Sequence, residues 1–474
     1  MEPVEGDYVM AKPDRKTFVD RSNQLIAHIR TNLANGTYQV GDYLPSEVAF
    51  AEQFDLSKNS VRAAMGKLVE EGLIRKVPRV GTQVAASGRQ NALRLGLYPS
   101  LYADAKLNDL LASYRREHPE VRVETVTLPY SNPDSIRQLL AYGVVDVVLL
   151  NNLDYLYFRD NSLLSLFEPQ APQASSFPFL NKLFMEHTEP DRVFLRPFVF
   201  SPVILCYNRD HFREAGAFEP DSSWTWGDLR QTLKKLAGES RYGLFFHLSS
   251  NNRWPIFLLQ NGVSFAREDG LPHPGRSNRL EAFRDVRELI HEDGLFPRML
   301  SFSLHDVELL FKQEKVSVIL TTYYRLNELA DAGFPFDIAQ LPRSEGGSAD
   351  TLLLCTGVGV NASSAQKKEA ESLASFLLSE EAATTIRRGT FTLPANKRVA
   401  DGIASELPNA PRRFDIYREM IPSFAAHDRL GLVPEEIETF GKCLGQYYSK
   451  LIDEEGLIQM FHTLIREGKT HTQG

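Results

Sequence analysis

The chain has 474 residues, 43% of them hydrophobic and 24% charged, with three cysteines and a net charge of −8. That length suits two or three domains, and that composition excludes wholesale disorder, a collagen-like fibre and a disulfide scaffold. Charge is unevenly placed, because residues 1–14 carry −3 and residues 15–90 carry +4, which leaves −9 for 91–474; a small basic head precedes a large acidic body, and the whole is no polybasic nucleic-acid binder.

The N-terminal stretch holds Glu2, Glu5, Asp7, Asp14 and Asp20 and lacks the apolar core of a secretory signal. Nothing later is long and apolar enough to span a bilayer, so no membrane partner is expected. Cys206, Cys355 and Cys443 are odd in number and far apart, which fits buried small hydrophobes in a reducing cytoplasm.

In the head, Leu25, Ile26, Ile29 and Leu33 recur at helical spacing and predict a helix over Asp20–Leu33, stopped by Gly36. Pro45 keeps the preceding chain out of a helix and Ser46 is a natural N-cap, so a short second helix follows through Val48, Ala49, Ala51 and Phe54. Asp55-Leu56 breaks it. Ser57 caps a third helix carrying Val61, Ala64, Met65 and Leu68, which Gly72 ends. Leu73–Val77 and Thr82–Val84 read as short strands around Pro78-Arg79-Val80-Gly81, a small β-wing.

Three helices with a tight turn between the last two, then a wing, make a winged helix-turn-helix. Its third helix enters the major groove by its N-terminal residues. Lys58, Asn59, Ser60 and Arg62 occupy that turn, where free amides and the positive end of the helix dipole also favour phosphate. The series Gly36-Thr37-Tyr38, Gly41-Asp42-Tyr43-Leu44-Pro45-Ser46-Glu47, Leu56-Ser57-x-x-Ser60-Val61-Arg62, Glu71-Gly72-Leu73-Ile74 and Gly81-Thr82 resembles the GntR-type winged-helix domain of bacterial transcription regulators. The resemblance implies a domain over 15–84 that contacts double-stranded DNA through Ser46, Glu47, Lys58, Ser60 and Arg62, with Arg79 and Gly81 in the wing. Lys58 replaces the family's usual Arg, which turns a two-pronged guanine contact into a point charge. Val80 stands where the wing often has Gly or Arg.

Residues 85–92 are small and polar and read as a linker. From there strands and helices alternate: Leu93–Leu97, helical Ala105–Arg116, Val121–Val126, helical Ser135–Ala141, then Val144–Leu150. This argues for a parallel sheet covered on both faces, with ligands beyond the strands' carboxyl ends. Val193–Tyr207 reads as a strand interrupted by Pro197 and Pro202. Ser223 or Thr225 caps the helix that Leu229, Leu233 and Leu236 continue, and Lys367–Leu378 is helical.

The run Pro197-Phe198, Tyr207-Asn208-Arg209-Asp210-x-Phe212, Ala215-Gly216, Trp224-Thr225-Trp226-x-Asp228-Leu229, then Leu341-Pro342 and Gly357-Val358-Gly359-Val360, resembles the family 1 extracellular solute-binding proteins of ABC importers, the maltose-binding type. The resemblance implies that 93–474 forms two α/β lobes closing over a ligand, most often a sugar. The chain should pass between lobes near 198–205, 333–341 and 379–389. Sugar sites combine aromatic platforms with polar partners. Tyr98, Ser100, Asn151, Asn152 and Asp154 are therefore expected from the first lobe, and Asn251, Arg253, Trp254, Tyr323, Tyr324 and Arg325 from the second. Trp254 could equally be a core or hinge tryptophan, and adjacent Tyr323 and Tyr324 cannot both face the cleft. Trp224 and Trp226 flank a helix start and suit packing. The helical region 411–467 belongs either to the second lobe or to a dimer contact.

No zinc pair, Cys-x-x-Cys, nucleophile elbow or phosphate loop is present. A pyridoxal-phosphate aminotransferase-like body needs a Schiff-base lysine; the only Ser-Lys pairs, Ser57-Lys58 and Ser449-Lys450, are unsuited. No catalytic residue, metal or cofactor is expected. The combined expectation is a homodimeric regulator on a palindromic operator, switched by a small molecule, a sugar first and a peptide, polyamine or anion second.

Overall fold

The computed structural model describes residues 15–34, 37–38, 41–70, 73–78, 80–85, 92–185, 191–275, 280–297 and 304–472. The expected helix stops Gly36 and Gly72, the wing residue Arg79 and linker residues 86–91 lie outside them.

The head holds α1 (Arg15–Ala34), α2 (Glu47–Gln53), α3 (Lys58–Glu70) and a hairpin of β1 (Ile74–Val77) and β2 (Gly81–Val84), paired from Ile74↔Val84 to Val77↔Gly81. Leu25, Ile29, Leu33, Val61, Met65 and Leu68 form its core, as their helical spacing requires. The second helix buries Phe50 fully, with Ala51 and Phe54 packed against the same core, and leaves Val48 42% exposed. With only seven residues, α2 buries whichever side α3 crosses, and Asp55 sets that crossing by taking a left-handed conformation (φ 49°) in the turn.

The body is built on one sheet. Its strands are β3 (Ala92–Leu97), β4 (Arg122–Thr127), β5 (Val147–Asn151), β6 (Arg196–Asn208), β7 (Tyr242–Phe245), β10 (Val316–Thr322), β11 (Phe336–Ala339) and β12 (Thr351–Val360); a separate hairpin, β8 (Phe265–Glu268) and β9 (Leu271–Pro274), lies apart. The order is β4-β3-β5-β12-β6-β10-β7, with β11 also on β6. Expectation and structure part here. β3, β4 and β5 are parallel, as are β7 and β10, but β12 and β6 run antiparallel to each other, β12 also to β5, and β6 also to β10 and β11. Two parallel lobes are thus stitched together by long antiparallel strands.

β6 runs unbroken through both prolines. Its first half pairs with β12 up to Leu353↔Pro202, and its second half pairs with β10 and β11 from Val203↔Thr322 onward. Pro202, which has no N–H to donate, sits where the strand changes partners, and Pro197 opposes Gly357 beside a register shift. The chain passes from the first lobe to the second along β6 and returns through β12, not near 333–341 as expected, since that stretch is β11 on the second lobe's half of β6.

The stretch 379–389 differs from its expected place as a third passage. It is a helix, Glu380–Gly389, whose Ala382 and Ile386 pack with Leu107, Leu110 and Tyr114 of the first lobe. The chain leaves that lobe only after Lys397, whose N–H still bonds the Ser175 carbonyl there at 2.9 Å. The C-terminal region then joins the second lobe. Phe440 of helix Pro434–Tyr448 packs on Trp254 (5.0 Å between rings), Phe461 packs on Phe265 (6.1 Å), and Arg267 and Glu436 pair at 2.6 Å. Cys206, Cys355 and Cys443 are free and buried.

Candidate functional site

On the head, Ser46 caps α2 by accepting from the Ala49 N–H at 3.2 Å, and Ser57 accepts from the Ser60 N–H at 3.1 Å. Lys58 and Asn59 stand exposed on the first turn of α3, whereas Ser60 is buried and its hydroxyl is bonded to that of Ser57. Arg62 donates to Glu47 (Nη2 to Oε2, 2.8 Å), and Lys76 Nζ reaches the same carboxylate at 3.2 Å. The Arg62 hydrogen bond foremost, with Lys76, holds the Glu47 carboxyl below its ordinary range. Gly81 is exposed at the wing with φ +148°, a conformation open to glycine.

In the body, a pocket of about 190 Å³ lies where the two lobes meet. The first lobe contributes Tyr98 and Ser100, just past β3, and Asn151, Asn152 and Asp154, at the end of β5 and the start of helix Asn152–Asp160. Asn151 caps that helix by accepting from the Asp154 N–H at 2.8 Å, and its side-chain amide donates back to the Asp154 carboxyl at 2.8 Å. Tyr98 donates its hydroxyl to the same carboxyl. Burial raises the Asp154 pKa, and the bonds from Tyr98 and Asn151 oppose the rise. Tyr98 stacks on Tyr130, with ring centres 5.0 Å apart and planes 16° apart.

The second lobe contributes Asn251 and Tyr324, whose hydroxyl donates to the Val199 carbonyl at 3.1 Å. The other residues expected there lie elsewhere. Tyr323 is wholly buried and donates to the Phe414 carbonyl at 2.7 Å. Trp254 is wholly buried against Phe440 and Phe283. Arg253 is buried with Nε on the Leu320 carbonyl at 3.2 Å, burial lowering its pKa to about 10. Arg325 pairs with buried Glu308 at 3.0 Å and with Glu328. Trp226 donates to Gln260 at 2.8 Å and packs on Phe257, and so serves packing as expected.

Several lining residues escaped sequence reasoning: Asp104, Tyr130, Ser131, Asn252 and His427. Burial raises the Asp104 carboxyl to about 7 despite bonds from Ser100 and Asn327. Ser131 takes a left-handed backbone (φ 52°), strain that non-glycine residues carry mainly where position matters. His427 is fully buried; one ring nitrogen, Nε2, lies 2.9 Å from the Asn251 carbonyl oxygen, and Nδ1 has no partner among the described residues. Because a carbonyl only accepts, Nε2 carries the proton and Nδ1 offers a lone pair. Burial lowers the His427 pKa to about 4. The pocket therefore combines an aromatic wall, two carboxyls, four asparagine amides and a buried imidazole, a set that suits a ligand rich in hydroxyl or N–H donors.

Comparison with known proteins matches both parts. Residues 21–84 match the model described as bacterial regulatory proteins, gntR family, and residues 109–413 match the bacterial extracellular solute-binding protein model. Among curated relatives, a Brucella abortus protein is 25% identical over 210 residues, 43% of this chain; the chain spans about half, 51%, of that relative's length. The galactooligosaccharide-binding protein of Bacillus subtilis is 24% identical over 317 residues, 65% of this chain and 73% of its own. Among solved structures, an ABC substrate-binding protein of Listeria monocytogenes in complex with cycloalternan has a TM-score of 0.66 at 17% identity, covering 80% of this chain and 99% of its own. That likeness establishes the two-lobed fold.

Proposed function

The chain belongs to the bacterial extracellular solute-binding protein family and carries a gntR-family regulatory domain at its head, and on that premise we propose that it is a transcription regulator whose body senses a small molecule, a sugar or oligosaccharide, beside the DNA it controls. The observation that carries the sensing is the convergence of Tyr98, Asn151 and Asp154 of one lobe with Asn251 and Tyr324 of the other on a single pocket. A ligand bound there touches both lobes and favours the arrangement in which they meet. It alters DNA affinity only by binding two head arrangements unequally, a coupling of about 1–3 kcal/mol in typical systems.

In this reading two copies act as a homodimer, each placing α3 in a major groove of a palindromic operator about one helical turn apart. Lys58, Asn59 and Arg62 touch DNA directly, Ser46 approaches the backbone, Glu47 and Ser60 orient their neighbours, and Arg79 and Gly81 serve the wing. The body binds and does not catalyse. The galactooligosaccharide-binding relative favours a sugar. The Asp104 and Asp154 carboxyls favour, as a second reading, an amine such as a polyamine.

A thermal-shift screen of the full chain against saccharides, amino acids and polyamines tests this. A true ligand at 100 times its Kd adds about 2.7 kcal/mol of stability. Stabilisation by polyamines alone would replace the sugar with the amine, and silence toward all three classes would remove the sensing role.

A further inference from the structure

A second cavity lies within the second lobe and shares no lining residue with the interlobe pocket. It encloses about 330 Å³, and small-molecule pockets typically enclose about 300–1,000 Å³. Helix Trp226–Leu236, the end of β7, helix Trp254–Gln260 and helix Glu281–His291 build it. Its floor is apolar and largely aromatic. Trp226 packs on Phe257 with ring centres 5.3 Å apart, Phe257 packs on Phe246 at 5.8 Å, and Leu244, Val286 and Leu289 complete the surface.

The polar groups around that floor are acceptors. Glu281 and Asp285 stand one turn apart on their helix, and Glu345 joins them from the loop between β11 and β12. Neither Asp285 nor Glu345 has a hydrogen bond or ion pair among the described residues. Arg230, the cation among the described lining residues, is committed to Glu292 at 2.7 Å and to Glu288 at 3.5 Å. The Asn261 amide donates to the Phe257 carbonyl at 2.8 Å and to Ser344 Oγ at 3.0 Å, which leaves its own carbonyl oxygen to accept. Gly227 admits the Glu345 carboxylate to the positive end of helix Trp226–Leu236, since a side-chain carbon at 227 would stand 3.0 Å from Oε1. Desolvation first, then the like charges of Glu288, Glu281 and Glu345, raise the Asp285 carboxyl above its ordinary range, against the pull of Arg230. Carboxylates gathered beside an apolar surface repel one another, and a cation relieves them.

The same groups narrow the kind of cation. The described acidic side chains do not converge as metal ligands, and an aromatic floor offers a metal ion nothing to bind. A flat apolar body covers that floor, and a charged nitrogen gains from both the carboxylates and the ring faces. We propose that this cavity is a second ligand site, for an organic cation whose aromatic body lies against Trp226 and Phe246 and whose ammonium faces Asp285 and Glu345. The site stands independently of the sensing proposed for the interlobe pocket.

Calorimetric titration of the full chain tests this with three probes. Tryptamine has the ring and the charge, indole-3-propionate has the ring with the opposite charge, and butylamine has the charge without the ring. Tryptamine saturates a single site and binds about tenfold or more tighter than either control. Asp285→Asn and Glu345→Gln each weaken it about threefold, and together about tenfold; melting curves report the folding of each variant. Absence of saturable tryptamine binding, or equal binding of indole-3-propionate, overturns the proposal. So does a loss of tryptamine binding in Asp104→Asn with none in Asp285→Asn, which would place the amine between the lobes. Binding that emerges only after Arg276→Ala and Arg279→Ala also overturns it, by assigning the cavity to the chain's own arginines.

Discussion

At the scale of single residues, Arg62 shows how an ion pair, and Asp104 how burial, sets behaviour. Arg62 pairs with Glu47 in the head, so in the proposed reading DNA competes with that carboxylate for it. Arg62→Ala should weaken operator binding on the order of tenfold to a hundredfold, read by fluorescence anisotropy at fixed salt; unchanged affinity would take Arg62 off the DNA. Asp104 works through pH. Its folded pKa near 7 lies above the unfolded value of 3.8, so the folded state binds the proton more tightly. The cost of this carboxyl is absent at low pH and grows as pH rises from about 4 to about 7. Asp104→Asn should therefore melt higher than the parent at pH 8, by roughly 2–4 kcal/mol, with the difference vanishing toward pH 4; equal melting at pH 8 would contradict the burial argument. Which residues sequence alone could find follows the same physics. Tyr98, Asn151 and Asp154 were legible because they follow strands, and strand ends face ligands in α/β sheets. Trp254 and His427 were not. The first is packed by Phe440 and the second bonds the Asn251 carbonyl, contacts across 186 and 176 residues that no local spacing encodes.

Among elements, the head helices and the first β3–β5 strands emerged from periodicity because each repeat is local, as did helix Trp226–Leu236, which Thr225 caps with a full capping box to Asp228, whereas helices Glu281–His291 and Leu304–Lys312 and strand β7 did not. The direction of β6 and β12 was hidden, since a buried strand reads as an apolar run whichever way its neighbours point. Helix Glu380–Gly389 was misplaced as a crossing for a related reason: amphipathic helices look alike wherever they dock. The C-terminal segment offers a contrast between two glycines. Gly431 has φ +71° and an added carbon would sit 2.4 Å from the Phe265 carbonyl oxygen, whereas Gly445 is helical and open. Gly431→Ala should destabilise by about 2 kcal/mol or more, and Gly445→Ala should stabilise by about 0.5–1 kcal/mol. Thermal melts of the pair decide this; a neutral Gly431→Ala would mean the turn before helix 434–448 relaxes freely.

For the whole molecule, the proposed coupling between pocket and head carries an obligation. If ligand changes operator affinity by some factor, operator must change ligand affinity by the same factor. Titrating ligand into the protein with and without saturating operator should reproduce the ratio found by titrating operator with and without ligand. A mismatch would show that the two titrations follow different states. The body also explains why such coupling need not involve a loose joint. A segment after the second lobe's last strand bridges the halves: Phe424 and Ala425 pair with Thr351 and Leu352, His427 bonds Asn251, and Asp428 pairs with Arg159 of the first lobe at 3.5 Å.

The continuity of β6 sets a rule for exchange of parts. The head connects to the body by one passage of chain, so recombination there can trade one DNA reader for another while leaving both units intact. The lobes offer no such seam. A graft that brings a new second lobe must cut within β6, again within β12 and a third time before the C-terminal region, and the donor's strand has to change partners at the residue where Pro202 does so here. On the proposed function, new operators are thus open to this architecture by cut-and-paste, whereas new effectors must come by substitution inside a shared sheet.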